Sequence, residues 1–248
     1  MSLNDSYTFY DENDVSYIPP TSVTPQLPEP RTIMIHELTQ EVMDILTQYS
    51  RSTDIFTFDD GLYSNYMNYS LLSAFHNEKI FFYNSGILRS REIPPKSSVI
   101  KAAEAHRKLK MDGTDDFLDY MNPDELLYLD TCTNNFLGSH GHTHNKICET
   151  SLVPKILKKP NGMSLNLGIK DSFEAIKEDI QKSVNYHYVL TGTIQTRFCF
   201  PYNIENNIVK KLTKEAVKNL EKKLGRNQEL DIIFYGQNRI NVYDLPNL

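Results

Sequence analysis

The chain has 248 residues, 40% hydrophobic and 11% aromatic, enough apolar material for one domain of barrel or doubly wound size, or two small ones, and too much for global disorder. Its formal charge is −6, and the Lys/Arg clusters at 155–159 and 210–223 alternate with apolar residues or sit beside proline, which excludes a nucleic-acid backbone as the main partner. Three cysteines (Cys132, Cys148 and Cys199) without a Cys-x-x-Cys pair exclude a disulfide framework and read as small buried hydrophobes; no run approaches the roughly 18 apolar residues of a membrane span.

Met1 to Tyr10 is polar and acidic with no apolar signal segment, so a cytoplasmic location is expected. Residues 1–31 carry Pro19, Pro20, Pro25, Pro28 and Pro30 and read as an extended arm, leaving 32–248 as the folded domain. Thr32 to His36 is expected as a strand, followed by a helix with Leu38, Val42, Met43, Ile45 and Leu46 on one face. Ile55 to Phe58 is a buried strand that stops at Asp59-Asp60-Gly61. A helix from about Leu62 to Asn77 and a strand over Lys79–Leu88 complete a βαβ rhythm, which builds parallel sheets.

Residues 91–122 break that rhythm. They are charged, contain a helical pattern over Val99–Lys110, and read as a surface insertion that shapes one rim. Asn122-Pro123-Asp124-Glu125 is a helix start with proline in the first turn. Phe136–Ser139 is a short strand leading into His140, and 149–168 read as loop. A helix over Asp171–Leu190 is expected to be capped by Asp171 or Ser172. Arg197–Tyr202 is a strand ending at proline, Ile208–Leu224 a Lys-rich amphipathic helix, and Leu230–Tyr235 and Arg239–Val242 two closing strands.

Two stretches carry chemistry. Adjacent side chains at a strand's end point in different directions, so one of Asp59 and Asp60 can hold a cation while the other faces substrate, and Gly61 allows a sharp turn. His140 and His144 stand four apart, which on one helical turn puts both imidazoles on one face. Three histidines in five residues also suit a solvated loop. Joined to one of the aspartates, they make a 2-His-1-Asp site with open positions, the arrangement of a catalytic metal.

These stretches resemble the motifs of the polysaccharide deacetylases, the NodB-homology group of carbohydrate esterases. Thr57-Phe58-Asp59-Asp60-Gly61 matches the first motif and Gly138 to His144 the second; Phe198-Cys199-Phe200-Pro201-Tyr202 is similar to the third, and Ile33-Met34-Ile35-His36 to a strand near the start of some members. The resemblance spans about residues 32–242. It implies a distorted (β/α)7 barrel and a metal-dependent N-deacetylase acting on a carbohydrate substrate. By it, Asp60, His140 and His144 hold a divalent metal (zinc, with cobalt or nickel as alternatives), Asp59 is the general base, and the backbone N–H of Tyr202 serves the oxyanion.

The departures are specific. Cys199 stands where many members carry an arginine that contacts the base, with Arg197 nearby as a candidate substitute. Asn203 replaces a glycine, the chain has no tryptophan, and no histidine follows His187 to serve as the group's usual general acid. His142 and His36 are the candidates for that role; His76, His106 and His187 fall in helical patterns and receive none. Two alternatives therefore accompany the deacetylase: an impaired relative that binds glycan or metal without turnover, and a hydrolase of a small amide.

Overall fold

A computed structural model of the chain describes residues 29–96, 99–111, 117–144, 156–158, 164–166, 169–226 and 228–248. Most of the expected N-terminal arm, Cys148 and parts of the 91–122 segment lie outside the described residues. The strands are β1 (Thr32–Ile35), β2 (Ile55–Phe58), β3 (Lys79–Tyr83), β4 (Asn135–Ser139), β5 (Ile156–Lys158), β6 (Ser164–Asn166), β7 (Arg197–Cys199), β8 (Ile233–Tyr235) and β9 (Ile240–Asn241). Seven form one sheet in the order β8-β7-β4-β3-β2-β1-β9, with every neighbouring pair parallel.

The edge strands β8 and β9 are joined by residues 236–239 alone, yet they stand at opposite ends of that order. So short a link reaches no more than about 17 Å. The sheet must therefore curl until its edges face each other, giving the expected distorted (β/α)7 barrel, open along a β8/β9 seam.

Alternation along the strands sorts the core. Ile33, Ile35, Phe56, Phe58, Phe81, Tyr83 and Leu137 face outward into one cluster with helix α1 (Gln40–Tyr49) and helix α4 (Pro123–Thr131). α1 contributes Val42, Met43 and Leu46, each worth about 1.5–3 kcal/mol when fully buried. Helices α5 (Ile169–Thr191) and α6 (Asn207–Lys223) cover β7 and β8 through Ile180, Val184, Phe198, Val209 and Leu212. Ile55, Ile80, Phe82, Phe136, Cys199 and Tyr235 point the other way, into the barrel.

Local chemistry sets the helix ends. Asn122 and Glu125 form a reciprocal capping box at α4, with Pro123 at its first position. The helix expected over 62–77 is instead a short α2 (Tyr63–Met67) followed by a 3₁₀ turn, Tyr69–Ala74. Asn65 and Asn68 between them bind the backbone of His36 and Leu38, so this segment is tied to the exit of β1. Helix α5 starts at Ile169, so Asp171 and Ser172 lie inside it and neither can be its N-cap, a position that needs non-helical backbone. Part of the loop expected over 149–168 is the antiparallel hairpin β5–β6, and Cys132 is partly exposed rather than buried.

Candidate active site

Asp59 and Asp60 leave the C-terminal end of β2, both 2% exposed. Asp59 continues the inward-facing row of Ile55 and Thr57. Asp60 and Gly61 then both adopt left-handed backbone, with φ of 70° and 71°, a conformation glycine takes freely and aspartate tolerates. That turn redirects the Asp60 carboxylate away from its neighbour and toward the histidines that follow β4.

His140 follows β4 directly, and its Nδ1 lies 3.1 Å from the carbonyl oxygen of Cys199. A carbonyl can only accept, so Nδ1 carries the proton and Nε2 is free to present a lone pair. The segment from His140 to His144 is a loop and not the helical turn that the spacing implied: Gly141 has φ 85° and His144 φ 51°. Asp179 of α5 fastens this loop, accepting from the backbone N–H of His142 and of Thr143 and from the Thr143 hydroxyl, at 2.9, 3.0 and 2.6 Å.

The loop brings the three expected ligands together. Asp60 Oδ1 lies 3.3 Å from His140 Nε2 and 3.1 Å from His144 Nε2. It nevertheless has no hydrogen-bond partner, although it is buried. Buried carboxylate oxygens are rarely left so, because the cost is 1–3 kcal/mol or more. Two nitrogens within contact distance that do not donate to the oxygen between them fit ligands that share a cation. A carboxylate with imidazoles is also the donor set that first-row metals prefer.

The electrostatics agree. Burial alone would raise the Asp60 carboxyl, but the imidazoles of His106, His140 and His144 hold it well below the usual carboxylate range. Burial opposes charge on the His140 and His144 rings too. In His144 burial prevails and the ring falls below its ordinary value. In His140 the interactions with Cys199, Asp60 and Asp59 prevail and the ring is held well above it. The pocket attracts positive charge, as a proton or as a metal ion.

Asp59 has a different partner. Its two oxygens receive the two terminal nitrogens of Arg239 at 2.6 and 2.7 Å, a bidentate pair. Burial pushes Asp59 up, but Arg239 and, less strongly, His140 bring it below its ordinary value. Arg239 also donates to Thr57 Oγ1 and to Asn203 Oδ1, and Asn203 keeps left-handed backbone with φ 56°. The substitution of Asn203 for glycine is thus accommodated and used.

Arg197 does not take the missing arginine's place. It lies over the Phe136 ring at 3.8 Å and 3.6 Å from Glu78. Cys199, at the departed position, faces Asp59 with its sulfur 3.8 Å from both oxygens, and burial and Asp59 push its thiol up, so it stays protonated. Tyr202 sits in the turn Pro201–Asn203 after β7 with φ 59°; its ring is 45% exposed and 4.7 Å from that of His144.

His142 is partly buried, with Nδ1 2.8 Å from Ser85 Oγ, and burial lowers its pKa. His36 follows β1, where the backbone N–H of Asp59 donates to the Ile35 carbonyl at 2.9 Å. Sequence reasoning missed two residues here, Arg239 and His106. The Nε2 of His106 is 3.1 Å from Asp60 Oδ2.

No family model matches the chain, and no curated protein matches it. Solved structures do. IcaB from Ammonifex degensii superposes with a TM-score of 0.52 at 13% identity, covering 89% of this chain and 95% of that one. The BpsB deacetylase domain from Bordetella bronchiseptica gives 0.50 at 13% identity, covering 86% and 96%. The chain therefore has the NodB-type deacetylase fold over nearly its whole described length.

Proposed function

We propose that this chain is a divalent-metal-dependent hydrolase that removes the acetyl group from an N-acetylated sugar, in a poly- or oligosaccharide or its biosynthetic intermediate, and releases acetate. The observation that carries the reading is the buried Asp60 Oδ1 between His140 and His144, without a hydrogen-bond partner, beside an Asp59 that is paired with Arg239 instead. The fold adds support, since the BpsB domain that shares it is a deacetylase.

Asp60, His140 and His144 would hold the metal, with zinc, cobalt and nickel the ions their donors suit. When bound, the ion supplies Lewis acidity, acidifying water and polarising an acyl oxygen. Asp59, ionised and fixed by Arg239, accepts the proton of the attacking water as its oxygen bonds to the acetyl carbon. The backbone N–H of Tyr202 donates to the developing oxyanion, and the exposed Tyr202 ring offers a face to the sugar. The C–N bond then breaks, and the amine needs a proton. His36 and His142 are the candidates to give it, and His142 is engaged with Ser85. No helix among the described residues is long and apolar enough to cross a membrane.

The test is acetate release from N-acetylated chitooligosaccharides by protein stripped with a chelator and reloaded with zinc, cobalt or nickel. Activity should vanish and return. Asp59→Asn should lower kcat by about 10²–10⁴-fold, the usual contribution of a general base. Oligosaccharide bound without acetate release by every metal form would replace this reading with the glycan-binding relative.

A further inference from the structure

His106 lies on helix α3 (Ala102–Met111), in the charged stretch between β3 and α4. Its ring is stacked on that of His144, with centroids 4.2 Å apart and planes 9° apart. Its Nε2 is buried and has no hydrogen-bond partner, although Asp60 Oδ2 is 3.1 Å away. The other ring nitrogen, Nδ1, lies 3.3 Å from the hydroxyl of the buried Tyr120. His106 thus repeats the arrangement of His140: one nitrogen beside a protein oxygen, the other close to the Asp60 carboxylate without hydrogen bonding to it.

The helix is fastened to the turn that carries Asp60. Ala102 and Ala105 pack with Leu62, Ile87, Ile100 and Tyr120. Just past Asp60, the backbone N–H of Met121 donates to the carbonyl of Gly61 and that of Tyr63 to the carbonyl of Asp119, at 2.9 and 2.8 Å, which ties the stretch following α3 to the Asp60 turn. Ligand atoms of Asp60, His106 and His144 all fall within 4.8 Å of one another.

We propose that His106 is a further protein ligand of the metal, so that three imidazoles and one carboxylate hold it. This rests on the reading of Asp60, His140 and His144 as a metal site. A 2-His-1-Asp centre leaves open positions; a third imidazole would fill one of them and tighten retention of the ion. It also shifts preference further toward imidazole-seeking ions such as zinc, cobalt and nickel and away from magnesium and calcium.

Cobalt binding to the stripped full-length protein tests this without any turnover. X-ray absorption of the wild-type cobalt form should count three imidazoles, and a count of two overturns the proposal. Competition with a chromophoric chelator should show His106→Ala and His106→Gln holding cobalt more weakly, by no less than the roughly 10–100-fold that loss of even an outer-shell partner costs. The visible cobalt bands should change with them. Wild type that binds cobalt while both variants keep its affinity and spectrum removes His106 from the ligand set and leaves the other three in place. Folded wild type that binds no cobalt overturns the metal site itself.

Discussion

At the scale of single residues, the pair of Asp59 and Arg239 decides whether an ionised carboxylate can be buried in this barrel. Each side chain is only 2% exposed, so each is tolerable because the other is there. Arg239→Met should therefore cost about 3–5 kcal/mol, the range for stranding one member of a buried pair. Adding Asp59→Asn should recover much of that stability. Urea midpoints of the two variants decide the point, since an unrelieved double variant would mean that the pair is not coupled. His187 gives the pH dependence. Burial lowers its pKa from 6.5 to about 4, so between those values the unfolded chain binds a proton that the folded chain refuses. Stability is then lost as pH falls through that window. At pH 5 the loss is about 2 kcal/mol, at 1.36 kcal/mol per pKa unit. Replacing His187 by Phe should flatten this limb of the urea midpoint against pH.

At the scale of elements, the loop after β4 shows what a sequence can and cannot disclose. The spacing of His140 and His144 pointed to two imidazoles that meet, and they do, but through glycine-assisted left-handed turns rather than a helix. The strands, the α4 capping box and the helix α6 were legible because hydrophobic periodicity and capping residues act over a few positions. The two missed residues were not. Arg239 reaches Asp59 across 180 residues of sequence, because the barrel seam brings β9 beside β1. His106 was correctly placed on a helix, yet periodicity cannot say what that helix faces. Asp179 belongs to the same class as a positioning residue: it holds the loop that carries His140 and His144. Asp179→Ala should weaken metal binding about 10–100-fold, as loss of outer-shell support does. Competition titration reads this directly, and unchanged affinity with an intact circular dichroism spectrum would show that the loop holds itself.

At the scale of the molecule, the seam makes the C-terminus indispensable. After β8, residues 236–239 cross from one edge of the sheet to the other, and β9 then pairs with β1 through Ile33–Ile240 and Met34–Asn241. The turn beyond it, Val242–Asn247, sends Val242 and Leu245 into the cluster of α1 and β1, at 1% and 2% exposure. Truncation after Gly236 removes all of this at once. Two buried side chains are lost at about 1.5–3 kcal/mol each, and Asp59 is left buried without its cation at about 3–5 kcal/mol. That total rivals the 5–15 kcal/mol by which domains of this kind are stable. The truncated chain should therefore show no cooperative thermal transition and be rapidly degraded in limited proteolysis. A sharp transition within a few degrees of the full chain's Tm would mean instead that the barrel stands without β9, and that Arg239 serves Asp59 alone.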